Sequence, residues 1–141
     1  MSGLDQLMRL QKWTLDEKRR QALDLESLID KFETDIRLLD EEVIREVDAA
    51  QQSIELQRTL PAYRKMMQER RERLQQSIDN LRVELARIQD EIAEAFSELK
   101  KTEQTIQSRK QRQRQQERRR EQIVSDDIGL ELHRRRRSSE S

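Results

Sequence analysis

Apolar residues recur along this chain at alternating steps of four and three. From Leu4 the steps reach Met8, Gln11, Leu15, Lys18, Ala22, Leu25, Ile29, Phe32, Ile36, Leu39 and Val43, and every position from Ala22 onward is apolar. A mean period of 3.5 residues is the a/d seam of a coiled coil, with Met8, Leu15, Ala22, Ile29, Ile36 and Val43 at a. The next apolar residues are Val47, Ala50 and Ile54; the step from Leu39 to Ala50 is a stutter, which locally unwinds a supercoil. A second seam runs through Met67, Arg71, Leu74, Ile78, Leu81, Leu85, Ile88, Ile92, Ala95, Leu99, Thr102 and Ile106. Phe96 flanks it at e and widens the stripe. A disordered chain has no reason to hold this period, so residues 4–106 are expected to be helical.

Between the seams lies Arg58-Thr59-Leu60-Pro61-Ala62, with the chain's single proline. Pro61 lacks an amide donor and pushes Leu60 out of the helical region. Thr59 or a neighbour can cap a second helix whose first turn holds Pro61. The expected fold is therefore all-α: an antiparallel two-helix coiled-coil hairpin over 4–106. Helix 1 would cover about 4–57, the turn 58–62, and helix 2 would start at 62. Two registers satisfy a-against-d pairing. One sets Ile36 against Leu81, the other sets Ile36 against Ile88, and periodicity does not choose between them.

Composition agrees with long helices and excludes much chemistry. Of 141 residues 41% are charged, 33% hydrophobic and 3% aromatic, which leaves too little apolar surface for an ordinary globular core. There is no Cys and one His, so thiolate sites and His-based zinc sets are excluded. Gly3 and Gly129 cannot build a phosphate-cradling loop. No apolar run exceeds two residues, so neither a transmembrane helix nor a signal-peptide core is expected, and a cytoplasmic address is the default. Carboxylates alternate with bases as candidate i,i+4 pairs, such as Asp16–Arg20, Glu33–Arg37, Glu41–Arg45 and Glu69–Arg73. With no cleft to perturb a carboxylate, an enzyme and a cofactor are not expected.

The zero net charge is a cancellation. Residues 107–141 hold 11 Lys/Arg and 6 acids; the preceding part is correspondingly acidic. Gln107–Gln122 contains no apolar residue and so has nothing to bury, and 107–141 is expected to be a basic extension, helical or partly disordered. It offers either a solvated face or an electrostatic contact with an acidic protein or nucleic acid. Arg134–Arg137 form a second basic run, beside which His133 is solvent-exposed.

Two places carry apolar groups that the seam does not need. Trp13 falls at f and Leu10 at c. They are either covered by Ile123, Val124, Ile128, Leu130 and Leu132 folded back, or they anchor a partner. Tyr63 and Met66 lie off the seam just after the expected turn, where a Tyr-Met patch suits an adaptable contact.

Four blocks, LMRLQKWTLDEKRR (Leu7–Arg20), AYRKMMQERRERLQQSI (Ala62–Ile78), DEIAEAFSELKKTE (Asp90–Glu103) and DDIGLELHRRR (Asp126–Arg136), occur in this order. Together they resemble the FliJ family of flagellar export proteins, and among these the alphaproteobacterial forms. The resemblance spans nearly the whole chain. It implies a non-enzymatic hairpin, similar to the stalk of rotary ATPases, that serves flagellum biogenesis and motility. It implies binding to the hexameric flagellar export ATPase and to the cytoplasmic domain of the export gate, escort of export chaperones, and a place at the inner face of the cell membrane. By this analogy Leu10, Trp13, Arg19, Arg20, Arg112, Arg114, Arg118, Arg119 and Arg120 would face the ATPase. Tyr63, Met66 and Arg70 would face the gate. This chain has no compact aromatic cluster on helix 1 near the turn, where such a contact could centre.

The rival reading is a nucleic-acid-binding coiled coil acting through the Arg-rich segment. Against it, that segment has no interleaved aromatics for base stacking. No small-molecule substrate is expected, and the hairpin is expected to be monomeric alone.

Overall fold

A computed structural model describes residues 3–140, all but three of which lie in two α-helices: α1, Gly3–Ala50, and α2, Ile54–Glu140. The helices pack against each other, and no strand occurs among the described residues. The fold class is the expected helical hairpin. Contacts within the chain define two units. One is Lys12–Phe96; the other joins residues up to Gln11 with those from Ser97 onward.

The turn is not where the proline is. The chain reverses over 51–53, and Pro61 lies inside α2. Three short backbone bonds close α1: the amides of Gln51, Gln52 and Ser53 donate to the carbonyls of Asp48, Ala49 and Ala50. These i→i+3 bonds satisfy the orphan carbonyls of a helix end. Ser53 then caps α2. Its Oγ accepts from the amide of Leu56 at 3.4 Å, and its carbonyl accepts from the amide of Gln57. Thr59, expected as a cap, instead donates its hydroxyl to the carbonyl of Leu56. Thus the expected helix 1 over 4–57, turn at 58–62 and helix 2 from 62 are all corrected by seven to nine residues.

Pairing across the hairpin explains why the earlier turn wins. In the Lys12–Phe96 unit Arg71 donates from Nε and Nη2 to both carboxylate oxygens of Asp40, at 3.0 and 3.3 Å. Arg82 meets Glu33 at 2.8 Å, and Lys18 meets Glu91 at 3.2 Å. The first expected register would set Asp40 opposite Ser77 and Glu33 opposite Glu84. The second would set them opposite Glu84 and Glu91. Both bring carboxylates together or leave them without a base, and like charges facing each other are disfavoured. Neither expected register is adopted. The real pairing differs from them by about a whole heptad or two, so a still faces d.

Because of that, the seam residues keep their places. Ile29, Ile36 and Ile78 form a buried cluster with Phe32, Leu74, Leu81 and Leu85 packed on it. Ala22, Leu39 and Ile88 are buried, and Leu25, Val43, Ile92 and Ala95 half-buried. Burial of this stripe is the main stabilising term, at roughly 25 cal/mol per Å² of apolar surface removed from water. The stutter is used as well: Ala50, at its far side, is almost completely enclosed where the chain turns. Phe96 is exposed and widens the stripe little.

In the other unit Leu99 and Thr102 are buried and Ile106 half-buried. The Thr102 hydroxyl turns back onto its own helix and donates to the carbonyl of Glu98 at 3.2 Å. Gln11, which interrupts the first seam, has its side-chain oxygen enclosed without a hydrogen-bond partner. Residues 107–140 are helical throughout and every one is exposed. Position 141 lies outside the described residues.

Candidate interaction surfaces

Among the described residues no group of His, Asp and Glu could hold a metal ion. Among the described residues no helix is long and apolar enough to cross a membrane. What the fold presents instead is side chains on the outside of helices.

In the Lys12–Phe96 unit Trp13 is 62% exposed on α1. Arg19 and Arg20 are exposed beside it in sequence, with Arg20 held by Glu17 at 2.8 Å rather than by Asp16. Glu33 pairs across the hairpin with Arg82, while Arg37 pairs forward with Glu41. In the second unit Leu10 is exposed, as are Arg112, Arg114, Arg118, Arg119 and Arg120. At about 100° per residue these five arginines ring α2 instead of lining one face. Ile123, Val124, Ile128, Leu130 and Leu132 are also exposed. Trp13 and the apolar tail residues, expected as a possible cover for it, are each exposed. Val124 and Ile128, one turn apart, share a shallow cleft with Arg120.

Of the three residues expected to face an export gate, two point outward. Met66 is exposed, and Arg70 lines a cleft of about 240 Å³ with Asp35, Leu38, Leu39, Glu42 and Leu74. Tyr63 differs. Its ring is half-buried, and its hydroxyl is enclosed with no hydrogen-bond partner. Burial, together with the carboxylates of Glu42 and Glu46, holds that hydroxyl above the usual tyrosine range; Arg45 acts the other way. Tyr63 therefore belongs to the packing of α2 on α1 near the turn. Its role was hidden at the sequence level because the register that brings Glu42 alongside depends on the turn.

A polar network crosses the hairpin at Glu91. Its two oxygens accept from Lys18 of α1 at 3.2 Å and from Arg87 of α2 at 2.7 Å. Arg87 also holds Glu84 through two of its nitrogens. The hydrogen bond from Arg87, aided by its charge, keeps the Glu84 carboxyl below the usual range. Lys18 occupies a seam position, so this network replaces an apolar layer.

Sequence reasoning also missed a cleft on the flank opposite Arg70. It is lined by Leu39, Asp40, Val43, Ile44, Arg64, Met67, Gln68 and Arg71, with a volume of about 430 Å³. Part of its signal was present, since Arg71 places an arginine at an a position of α2.

No family model, curated protein or solved structure matches the chain.

Proposed function

We propose that this protein is a non-enzymatic stalk or adaptor of a flagellar type III export apparatus. It would bind the export ATPase and the cytoplasmic part of the export gate, and escort export chaperones. The observation that best supports this reading is Trp13, a large aromatic left 62% exposed on a hairpin helix that has no structural use for it. Exposed aromatics of this kind anchor interfaces. The four sequence blocks that resemble the FliJ family add the identity of the partners. On this reading Leu10, Trp13, Arg19 and Arg20 contact the ATPase together with the arginines between Arg112 and Arg120. Met66 and Arg70 carry the gate contact, with Tyr63 supporting them from below. The protein would lie in the cytoplasm, held at the inner face of the membrane through its partners.

The test is binding kinetics against purified export ATPase. Trp13→Ala should speed dissociation by an amount worth about 2 kcal/mol, the size of a hot spot. Charge reversal at Arg118–Arg120 should slow association, and most at low salt. Unchanged dissociation for Trp13→Ala, or loss of no binding when residues 107–141 are removed, would reject the reading.

A second reading has its own observation. The helix over 107–122 is exposed all round and carries seven Lys/Arg against two Glu, which suits a polyanion. If duplex DNA binds it more tightly than the ATPase does, the nucleic-acid reading replaces the first.

A further inference from the structure

An open cleft on one flank of the hairpin is lined by Arg71, half-buried at a seam position, and by Arg64, exposed one heptad before it. A coiled coil closes when a and d are apolar. Arg71 turns from the seam to Asp40, and Arg64 stays exposed while Tyr63 beside it packs inward. Leu39 and Met67, 5% and 3% exposed, become the floor of an open cleft, and Val43 continues that floor. Ile44 forms an outer wall and is 61% exposed. At about 430 Å³ the cleft falls within the range of ligand sites, roughly 300–1,000 Å³.

The two arginines are in different states. Arg71 is consumed, because both Asp40 oxygens accept from it. Arg64 has no ion pair or hydrogen bond among the described residues. The cleft thus combines an apolar floor, a neutralised Asp40 and one unspent guanidinium. The opposite flank contrasts with it: there Arg70 already has Asp35 and Glu42 as neighbours in its cleft.

We propose that the cleft between Ile44 and Arg64 binds an acidic amphipathic segment of a partner protein. One or two of its aliphatic side chains seat over Val43 and Met67, and a carboxylate one helical turn away is taken by Arg64. A planar guanidinium donates two parallel hydrogen bonds to a carboxylate, and an apolar floor beside it lowers the local dielectric, which strengthens the pair. A basic segment meets Arg64 with repulsion and finds Asp40 already occupied. A simple anion would leave the apolar floor wet. This inference concerns a flank that the export reading does not use, and it stands or falls separately.

The experiment uses the full chain and two synthetic helical peptides. One carries leucines and glutamates at i,i+3 and i,i+4 spacing along one stripe; the other has lysine in place of each glutamate. Methyl spectra of the protein report the site, and fluorescence anisotropy reports affinity. The glutamate peptide should bind saturably, shift the methyls of Val43, Ile44 and Met67, and weaken about tenfold with Arg64→Glu. Arg64→Lys should lie in between. Arg73→Glu, with the same charge change on an exposed residue outside the cleft, should bind like the parent. Circular dichroism should be unchanged in all three, since Arg64 and Arg73 are exposed. Equal binding of the two peptides would overturn the proposal, as would indifference to Arg64→Glu, shifts confined to other residues, or no saturable binding. So would the same methyl shifts appearing on raising protein concentration alone, because the occupant would then be a second copy.

Discussion

Residues 74–95 and residues 107–140 are equally helical, yet only the first are held by something other than themselves. In the first stretch every seam position from Leu74 to Ala95 is buried or half-buried. In the second not one residue is. The tail keeps its helix through good intrinsic formers and a few local contacts, such as Arg135 with Glu131 and Gln122 with Asp126. Each such pair is worth about 0.2–0.5 kcal/mol, against about 1.5–3 kcal/mol for one fully buried Leu or Ile. The same backbone state can thus be cooperative in one place and merely local in another. The second kind is free to present its side chains.

That contrast can be broken by moving the same substitution between the two regions. Ile78→Asp, at the most enclosed large side chain of the protein, should cost on the order of 4 kcal/mol and abolish the main melting transition. Ile128→Asp should leave the melt within about 0.5 kcal/mol, since Ile128 is exposed. A comparable loss at Ile128 would show a hidden packing role for the tail.

The next largest effect lies at the proline. In the interior of α2, Pro61 cannot bond to the carbonyl of Gln57 and its ring crowds that carbonyl. Pro61→Ala should therefore raise stability by about 2 kcal/mol, read as a higher melting temperature. A loss instead would mean that Pro61 does define the reversal. Ser53→Ala, which removes the cap of α2, should cost about 1 kcal/mol in the same assay.

The smallest expected effect is a pH dependence. Glu84 has its folded pKa lowered by Arg87, so its contribution is present above the unfolded value and is lost as pH falls through the folded one. Glu84→Gln should lower the melting temperature slightly at neutral pH, and parent and variant should converge as pH falls below about 4.3, where the Glu84 contribution is lost. A difference that persists undiminished in acid, or no difference at pH 7, would refute this assignment.

The seam was legible from Leu and Ile spacing alone, because periodicity decides which residues are buried. It says less about which residues meet. A displacement of whole heptads returns a to d, so Ile36 and Ile78 are core residues in any of the registers considered. Asp40 finds Arg71 in only one of them. The turn was misread for a related reason. Pro61 is the stronger local breaker, whereas Ser53 lacks the glutamate three residues on that completes a capping box; Leu56 stands there. In the structure the proline is carried inside α2 while the interhelical pairs and the apolar seam close across the earlier turn. The open cleft was legible in part, since the arginine at seam position 71 announces a gap. Neither the exposure of Trp13 nor that of the tail apolar residues follows from spacing, which leaves a covering segment open until the backbone is known.

The three-residue turn also gives the hairpin an order of assembly. Asp40–Arg71, Glu33–Arg82 and Lys18–Glu91 span 31, 49 and 73 residues of intervening chain. Loop-closure entropy rises with the logarithm of that span, by about 0.6 kcal/mol for each doubling. Once the pair nearest the turn has formed, however, each later pair closes only a small additional loop. Folding should therefore start at Ser53 and run outward as a zipper. Ser53→Ala should slow refolding, and Lys18→Ala should act mainly by speeding unfolding. Pro61 sits within the stretch that must close first, which makes the least helical residue of α2 a brake on the earliest step.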